Sequence, residues 1–264
     1  MKVTLFTSNQ PRHINLANLL AKNFSKVFTV IESNTIFPGE VDDFYSNSEV
    51  MKAYFNKVIA AEKIVFNNST FLKNNISCLP IKMSDLNKCV FEQLEIALDS
   101  DIYIIFGASY IKGWLADHLI KNKAINIHMG LSPYYRGSSC NFWALYDSNP
   151  NFVGATIHML SKGLDNGEIL FHSTPEYNNE TPYIFNMKAV KKAHEDLIYK
   201  IKTKDIFKMK SMKQNKKYEL RYSRYIDFND KVAKEFMDRD LKSEDIKSII
   251  KKSIQPKLYN KNAK

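Results

Sequence analysis

Three polar side chains beside apolar segments are the first candidates for chemistry in this sequence. Asn126 and His128 stand two positions apart in the apolar segment 124–128, and such positions of a strand face the same side of a sheet. Asp165 lies in a turn that leads into the apolar segment 168–172. If they meet, an amide, an imidazole and a carboxylate are suited to stabilise an oxyanion and to move protons, as acyl transfer requires.

The elements that must position these side chains alternate over the first 130 residues. Apolar stripes predict helices that begin at Pro11 and that span 49–64 and 85–98, with Asn47 or Ser48 as the cap of the second and Ser84 as the cap of the third. The alternation predicts an α/β fold with a doubly wound, mostly parallel sheet, on which ligands bind at the carboxyl ends of strands. The predicted strands are 2–7, 27–31, 76–79, 102–106 and 124–128.

The rest of the chain continues with helices and strands and then changes in character. We predict a helix over 138–147 with Trp143 in the core, strands over 153–160 and 168–172, and a helix over 183–203. Residues 1–204 are predicted to form the catalytic domain. Residues 205–264 are predicted to form a small C-terminal appendage, with an extended segment at 218–228 and a helix near 230–251. The polar stretch 32–47 is predicted to be a loop.

The net charge of +10 is unevenly distributed. Residues 205–264 contain 17 Lys and Arg against 9 Asp and Glu, a net charge of +8. A basic segment of this kind either meets phosphates or is a solvated, lysine-rich surface. Only 5 of the 38 basic residues are Arg, the usual reader of phosphate, which favours the solvated surface.

The sequence also indicates a compartment. It contains no apolar run long enough to span a membrane, and its first residues read directly into a strand. We therefore expect a cytoplasmic protein without membrane insertion. Cys78, Cys89 and Cys140 show no metal-type spacing and are predicted to be buried, reduced thiols.

Three motifs in order resemble those of folate-dependent formyltransferases. They are Asn-x-His at 126–128, Ser-Pro-x-Tyr-Arg-Gly at 132–137 and Gly-Leu-Asp-x-Gly-Glu-Ile-Leu at 163–170. The chain resembles the catalytic domain shared by glycinamide ribonucleotide, methionyl-tRNA and sugar N-formyltransferases, strongly over 101–173 and more weakly over 1–205. This resemblance implies the Rossmann-like formyltransferase fold and transfer of a formyl group from 10-formyltetrahydrofolate, with no metal.

The resemblance also implies roles for individual residues. Asn126 would donate to the formyl oxygen, His128 would stabilise the oxyanion as a cation and transfer protons, and Asp165 would hold His128, raise its pKa and relay a proton. The folate site would be lined by residues 104–110 and 160–165, with contacts from Ile105, Gly107, Tyr110, Leu164 and Asp165. Candidates for acceptor binding are Asn9, Arg12, His13, Tyr134, Tyr135 and Arg136, although Arg12, His13 and Asn9 would equally cap a helix and Arg136 would equally steady its loop.

Two features of the sequence narrow the choice of the substrate whose amine accepts the formyl group. The loop 8–13 lacks the glycines that wrap a phosphate closely, which argues against glycinamide ribonucleotide. About 60 residues follow the catalytic domain, fewer than the roughly one hundred of an ordinary additional domain such as the barrel of the tRNA enzyme. We therefore expect a nucleotide-linked amino sugar or a related precursor of surface polysaccharide biosynthesis.

Two alternatives remain. One is a methionyl-tRNA formyltransferase without the usual C-terminal barrel, and the other is a nonenzymatic basic nucleic-acid-binding protein, which no motif in the sequence supports. Removal of 205–264 is expected to leave folate binding intact in an enzyme and to abolish the affinity of a nucleic-acid binder. The sequence leaves a homodimer contact open. His158 and His172 are interpreted as packing or surface residues, and His194, within a predicted helix, as a structural residue.

Overall fold

The computed structural model describes residues 1–34, 48–67 and 70–260, and a seven-stranded sheet runs through them. Its strands are β1 Lys2–Ser8, β2 Lys26–Ser33, β3 Ile76–Lys82, β4 Ile102–Phe106, β5 Ile125–His128, β7 Ala155–Met159 and β8 Ile169–Ser173, in the order β3-β2-β1-β4-β5-β7-β8. The first five strands in this order are parallel, and β7 and β8 continue the sheet antiparallel. The mostly parallel α/β sheet is therefore confirmed. Two further strands, β6 Tyr135–Gly137 and β9 Arg221–Ser223, pair separately from this sheet.

Helices cover both faces of the sheet, as a doubly wound fold requires. Leu16, Ala61 and Leu197 of three helices pack on one face, and Leu94 and Leu115 of two others pack on the opposite face. The helices are α1 Pro11–Asn23, α2 Glu49–Phe66, α3 Phe91–Leu98, α4 Gly113–Lys121, α5 Cys140–Tyr146, α6 Pro182–Lys202, α7 Asp230–Asp238 and α8 Ser243–Lys252. Short 3-10 turns lie at Leu86–Lys88, Pro150–Phe152, Asp205–Phe207, Lys216–Tyr218 and Tyr225–Asp227.

The helix starts show which local signals act. Ser48 caps α2, because its hydroxyl accepts from the Met51 amide, as predicted. Ser84 caps no helix: its φ of +73° places it in a turn, so the helix predicted over 85–98 begins only at Phe91. Helix α4 was not predicted, since it begins at Gly113 without a side-chain cap.

The C-terminal segment also differs in detail from the prediction. The helix predicted near 230–251 is two helices, α7 and α8, separated by Asp240 with a φ of +41°. Of the predicted extended segment 218–228, only Arg221–Ser223 is a strand. The loop predicted over 32–47 begins later, because β2 includes Glu32 and Ser33; residues 35–47 lie outside the described residues.

The segment after residue 204 packs into the body of the molecule. β9 pairs in parallel with β6, and Phe236 of α7 shares a buried cluster with Tyr54 of α2 and Trp143 of α5. The burial of Trp143 agrees with its predicted core position. A domain boundary at 204 stays a prediction.

Two further expectations can be compared with the structure. Cys89 and Cys140 are buried as predicted, but Cys78 is exposed, because it lies on β3 at the edge of the sheet. Across the described ranges 1–34, 48–67 and 70–260, each helix is too short or too polar to cross a membrane.

Candidate active site

Two adjacent strands bring three of the polar side chains of the site together. β5 ends at His128 and pairs antiparallel with β7, and this register places Asn126 opposite His158. A register irregularity between Ile157 and His158 interrupts the pairing of β7 with β8 beside this position. Irregularities of this kind redirect a side chain next to functional sites. The carboxyl end of β5 therefore presents an amide and two imidazoles.

Asp165 reaches these side chains from a turn. Its φ is +48°, a left-handed conformation that Asp tolerates better than most residues. The Gln214 side chain donates to the carbonyls of Asp165 and Gly167 and fixes the turn. Gly167 has to be glycine, because a Cβ there would lie 1.7 Å from the Met159 carbonyl oxygen.

The predicted triad converges around the Asp165 carboxylate. Its Oδ2 lies 3.3 Å from Nδ1 of His128, and its Oδ1 lies 3.3 Å from Nδ2 of Asn126. The same Oδ1 lies 3.8 Å from Nε2 of His158. One carboxylate thus faces two imidazoles and an amide, all on the carboxyl edge of the sheet.

The hydrogen bonds fix the orientation of the Asn126 amide. His158 donates through Nδ1 to the Met159 carbonyl at 2.9 Å, so its Nε2 is an acceptor. Asn126 donates to that Nε2 at 3.0 Å and to Asp165 with its other N–H. His158 is therefore a buried and not a surface residue, and the interpretation of it as a packing residue misses its direct contact with the Asn126 amide. Only the β5–β7 register indicates the contact, and the sequence does not give that register.

The electrostatics of the His128 and Asp165 pair differ from the expectation. Burial lowers the pKa of His128, and the attraction of Asp165 opposes this without overcoming it. Burial alone would raise the pKa of Asp165, but nearby His128, His158 and Arg136 favour the carboxylate and bring its pKa below the ordinary value. The expected cationic imidazole is therefore corrected to a neutral imidazole beside an ionised carboxylate at neutral pH.

The second ring nitrogen of His128 faces Cys140. Its Nε2 lies 3.5 Å from Sγ of Cys140, and the thiol also lies 3.3 Å from the Gly137 carbonyl oxygen. Burial raises the pKa of this thiol, which keeps it protonated. Gly130 leaves room for the contact, because a Cβ at that position would lie 2.9 Å from the same Nε2. Both nitrogens of His128 thus face protein groups.

A cleft of about 360 Å³ opens beside this cluster. Arg12 and His13 line it together with five residues predicted for folate: Ile105, Gly107, Tyr110, Leu164 and Asp165. Gly107 has a φ of +70°, and a Cβ there would lie 2.4 Å from Nε2 of His13, so the chain passes directly over that ring. Other cavities of about 340 and 710 Å³ exist, but they lack this convergence of amide, imidazole and carboxylate.

The residues predicted for acceptor binding fall into two groups. Arg12 and His13 line the cleft, and the Asn9 side chain accepts from the Asn34 amide near them. Arg12 is held by the buried Glu62 at 2.9 Å. This first group occupies the start of α1, at the carboxyl end of β1.

The second group lies outside the lining of the cleft. The Tyr135 ring is 1% exposed and its hydroxyl donates to Asp147. Tyr134 packs against Phe152, and Arg136 pairs with Glu219 at 2.9 Å. Their predicted contact with the acceptor gains no support from these positions, while the alternative that Arg136 steadies its loop agrees with its ion pair.

The two remaining histidines of interest have structural surroundings. His172 lies between the Ser132 carbonyl and the Tyr259 amide, and burial lowers its pKa to about 4. His194 packs against Phe106, and burial lowers its pKa to about 3. Their interpretation as packing residues is confirmed.

Comparisons with known proteins agree with this site. A family model described as formyl transferase matches residues 104–200, which include Asn126, His128 and Asp165. The chain is 32% identical over 100 residues to a methionyl-tRNA formyltransferase of Clostridium acetobutylicum, covering 38% of this chain and 31% of that protein. It is 30% identical over 182 residues to the methionyl-tRNA formyltransferase of Clostridium tetani, covering 68% and 56%. The chain thus spans between about a third and about half of the lengths of these relatives.

Solved structures share the fold at low sequence identity. A 4-N formyltransferase from Francisella tularensis has a TM-score of 0.54 at 19% identity, with 86% of this chain and 77% of that chain covered. An N-formyltransferase from Helicobacter canadensis, in complex with folinic acid and dTDP-3-aminofucose, has a TM-score of 0.52 at 16% identity, with 87% and 73% covered. Family match, fold and convergence of the three motifs agree: the chain belongs to the formyl transferase family.

Proposed function

We propose that the chain transfers a formyl group from 10-formyltetrahydrofolate to the amine of a nucleotide-linked amino sugar or a related surface-glycan precursor in the cytoplasm. The observation that carries this proposal is the convergence of Asn126, His128 and Asp165 at one cleft, within the segment that the family model matches. An amide donor, an imidazole and a carboxylate around one point are the groups that formyl transfer to an amine needs.

The cleft fits a folate donor in size and lining. Its volume of about 360 Å³ lies in the range of roughly 300–1,000 Å³ typical of small-molecule sites. Ile105 and Leu164 supply apolar surface, and Gly107 brings backbone without a side chain to the wall. The folate substrate would supply the formyl carbon, which must come to rest beside Asn126 and His128.

The residues then divide the proton transfers and the charge between them. Asp165, ionised at neutral pH, accepts the proton that the attacking amine loses, directly or through a water molecule. Both nitrogens of His128 face protein groups, so the ring has to exchange its longer contact, the one with the Cys140 thiol, to donate a hydrogen bond to the oxygen that becomes negative. Because that charge favours the imidazolium form, the lowered pKa of His128 rises during the reaction. The proton that Asp165 has accepted passes by way of His128, directly or through water, to the departing nitrogen, so that both groups return to their starting protonation states.

Asn126 has to exchange one partner to take its role. Both of its N–H groups are engaged, one with His158 at 3.0 Å and one with Asp165 at 3.3 Å. The longer of the two bonds is the one expected to be released to the formyl oxygen, while His158 continues to hold the amide in orientation. His158 therefore acts as a positioning residue for Asn126.

The acceptor class is supported by the start of α1. Arg12 and His13 border the cleft there, next to the carboxyl end of β1, where they would meet the acceptor rather than the donor. Glycines that would cradle a phosphate closely are absent from residues 8–13. The Helicobacter canadensis structure, which carries folinic acid and dTDP-3-aminofucose on the same fold, adds support for an amino sugar.

A panel of acceptors tests the proposal. The purified chain is incubated with 10-formyltetrahydrofolate and one acceptor at a time, and formylated product is measured by mass spectrometry. The acceptors are dTDP-amino sugars, UDP-amino sugars, Met-tRNA and glycinamide ribonucleotide. We expect product on at least one nucleotide-linked amino sugar, and product on Met-tRNA alone would overturn the acceptor class. Failure to formylate any acceptor and to bind folinic acid would overturn the activity itself.

A methionyl-tRNA formyltransferase is the second candidate, and the observation that favours it is the match to proteins of that name. The basic segment 205–264 offers charge for RNA, but its three Arg residues already contact side chains of the same chain, as do the two Arg residues outside the segment. Each of the five Arg residues contacts an acidic or aromatic side chain of the same chain: Arg12 with Glu62, Arg136 with Glu219, Arg221 with Asp147, Arg224 with Asp227 and Arg239 with Tyr146. The remaining lysines would supply only a sequence-independent attraction.

A nonenzymatic nucleic-acid-binding protein remains as the alternative of another class. Its affinity would fall steeply with salt and would not depend on Asp165. Binding of labelled RNA is therefore measured at several salt concentrations with wild type and with Asp165→Asn. Strong RNA binding without folinic acid binding would support this alternative over the enzyme.

A further inference from the structure

Glu32 is a buried carboxylate outside the catalytic cluster. It lies near the carboxyl end of β2 and is 0% exposed. Among the residues that the structure describes, three groups donate to it: the Ser109 amide to Oε2 at 2.6 Å, the Ser109 hydroxyl to Oε1 at 2.8 Å and the Ser84 amide to Oε1 at 2.9 Å. A carboxylate buried this completely is costly unless such donors satisfy it.

The arrangement is specific for a carboxylate. Both of its oxygens accept, and two of the three donors are backbone amides, which have no alternative orientation. A glutamine at position 32 would turn its NH₂ group toward the amide of either Ser109 or Ser84, so that two donors would face each other. The fold therefore places a carboxylate at this point. The role of Glu32 follows from the residues that its carboxylate holds in place.

The group held most firmly is Ser109, which is bound through both its amide and its hydroxyl. Ser109 lies in residues 107–111, which we call the donor-side wall because they line the cleft beside β4. The far part of this wall is tied separately, since the Asn87 amide group donates to the Tyr110 carbonyl at 2.8 Å. Glu32 thus fixes the middle of the wall, between Gly107 and Tyr110.

A second buried carboxylate serves the other side of the cleft. Glu62, on α2, is 2% exposed and accepts from both the backbone amide and the guanidinium of Arg12. Arg12 belongs to the acceptor side of the cleft in the proposed function. The two carboxylates have the same chemistry and the same burial, but each holds a different wall.

We infer that Glu32 is a positioning residue for folate binding, which sets the donor-side wall through Ser109 without touching the substrate. This inference rests on the proposed function. It predicts a separation: loss of the Glu32 charge weakens binding of the folate and spares the acceptor, whereas loss of the Glu62 charge does the reverse. A role of Glu32 in stability alone would alter neither Michaelis constant selectively.

The test measures binding of folinic acid by titration calorimetry to wild type and to Glu32→Gln. We expect at least about tenfold weaker binding, because a lost charge-assisted hydrogen bond is worth about one order of magnitude or more. The KM for 10-formyltetrahydrofolate should rise by a similar factor, while the acceptor KM and kcat change less than about threefold. Amide exchange over 107–111 should become faster. Glu195→Gln, at an exposed position of α6, is the matched control.

Several outcomes would overturn the inference. A folded Glu32→Gln variant that binds folinic acid as wild type does would refute it, as would equal increases in both Michaelis constants. If Glu32→Gln does not fold, Ser109→Ala decides, because it removes one donor and keeps the carboxylate; we expect about threefold weaker binding, and unchanged binding would refute the inference. Wild type that binds no folinic acid would instead overturn the proposed function, and this inference with it.

Discussion

Replacement of Asp165 by Asn is the most informative perturbation of the catalytic cluster. Asn keeps the shape and tolerates the φ of +48° at this position, whereas Asp165→Ala would add backbone strain of about 1–2 kcal/mol. The variant therefore removes the charge and keeps the shape, while its new NH₂ group has to face either Nδ2 of Asn126 or Nδ1 of His128. Because burial opposes the attractions that favour the carboxylate, we expect only a small change in Tm.

The expected loss of rate follows from the geometry. Unit charges 3.3 Å apart interact by roughly 5 kcal/mol at an effective dielectric constant of about 20. In the ground state His128 is neutral and little of this is realised, but in the transition state the imidazole gains positive charge. If about 3 kcal/mol of this interaction energy acts only in the transition state, its loss lowers kcat by about 100-fold.

The pH dependence gives a second measurement on the same variant. The reactive form has a neutral His128 and an ionised Asp165. Because the pKa values of both groups are lowered, this form persists at neutral pH, and activity declines only when the pH falls below neutrality. Without the carboxylate, the pKa of His128 falls further, because the group that favours imidazolium is gone. The acid limb of the pH–rate profile, where activity declines as the pH falls, should therefore move to lower pH in the variant.

The assay is single-acceptor formylation over a range of pH, with folding checked by circular dichroism. A folded Asp165→Asn variant with kcat within about threefold of wild type would refute the reasoning, since it would show that the charge is not used in the transition state. An acid limb that moves to higher pH would contradict the assignment of a neutral imidazole.

Three other predictions follow from particular contacts. His158→Gln should lower kcat about tenfold with little change in either KM, because Asn126 loses its fixed acceptor; unchanged kcat would contradict this. Gly130→Ala should lower kcat at least about tenfold, since its Cβ would displace His128, and an unperturbed His128 ring in NMR spectra would count against it. His194 has a lowered pKa and contributes stability that is present above its ordinary value of 6.5 and lost as pH falls toward about 3, so His194→Phe should flatten the pH dependence of Tm in that window.

The sequence predicts that Asn126, His128 and Asp165 come together because its signals are local. Asn126 and His128 are two apart on one strand, and Asp165 stands at a turn with its own motif. His158 was missed for a non-local reason: it reaches Asn126 only through the antiparallel register of β5 and β7. A strand sequence does not state which residue of another strand it will oppose.

The predictions for acceptor binding were limited in a similar way, because the sequence did not predict the direction in which the Tyr135 side chain points. Tyr135 follows the strand with the site in sequence, which suggested an aromatic surface for a base or sugar. Its ring is instead buried against Phe152, and its hydroxyl meets Asp147 and Asn149 from the segment around the end of α5. Proximity in sequence to a catalytic residue therefore predicts the loop but not the direction of each side chain.

The packing of the C-terminal segment changes how its role has to be tested. Gly137 has a φ of +88°, and a Cβ at this position would lie 1.9 Å from the Ser223 carbonyl oxygen. The backbones of β6 and β9 therefore pack so closely that they leave no room for a side chain at Gly137. The carbonyl of Gly137 in turn meets the Cys140 thiol, which contacts His128. Removal of 205–264 would thus disturb the support of the His128 imidazole as well as the charge, and loss of folate binding on truncation would not argue against an enzyme. Replacement of exposed lysines in the segment, with the backbone left in place, separates the two effects: an enzyme keeps its folate affinity, whereas a nucleic-acid binder loses its affinity for RNA.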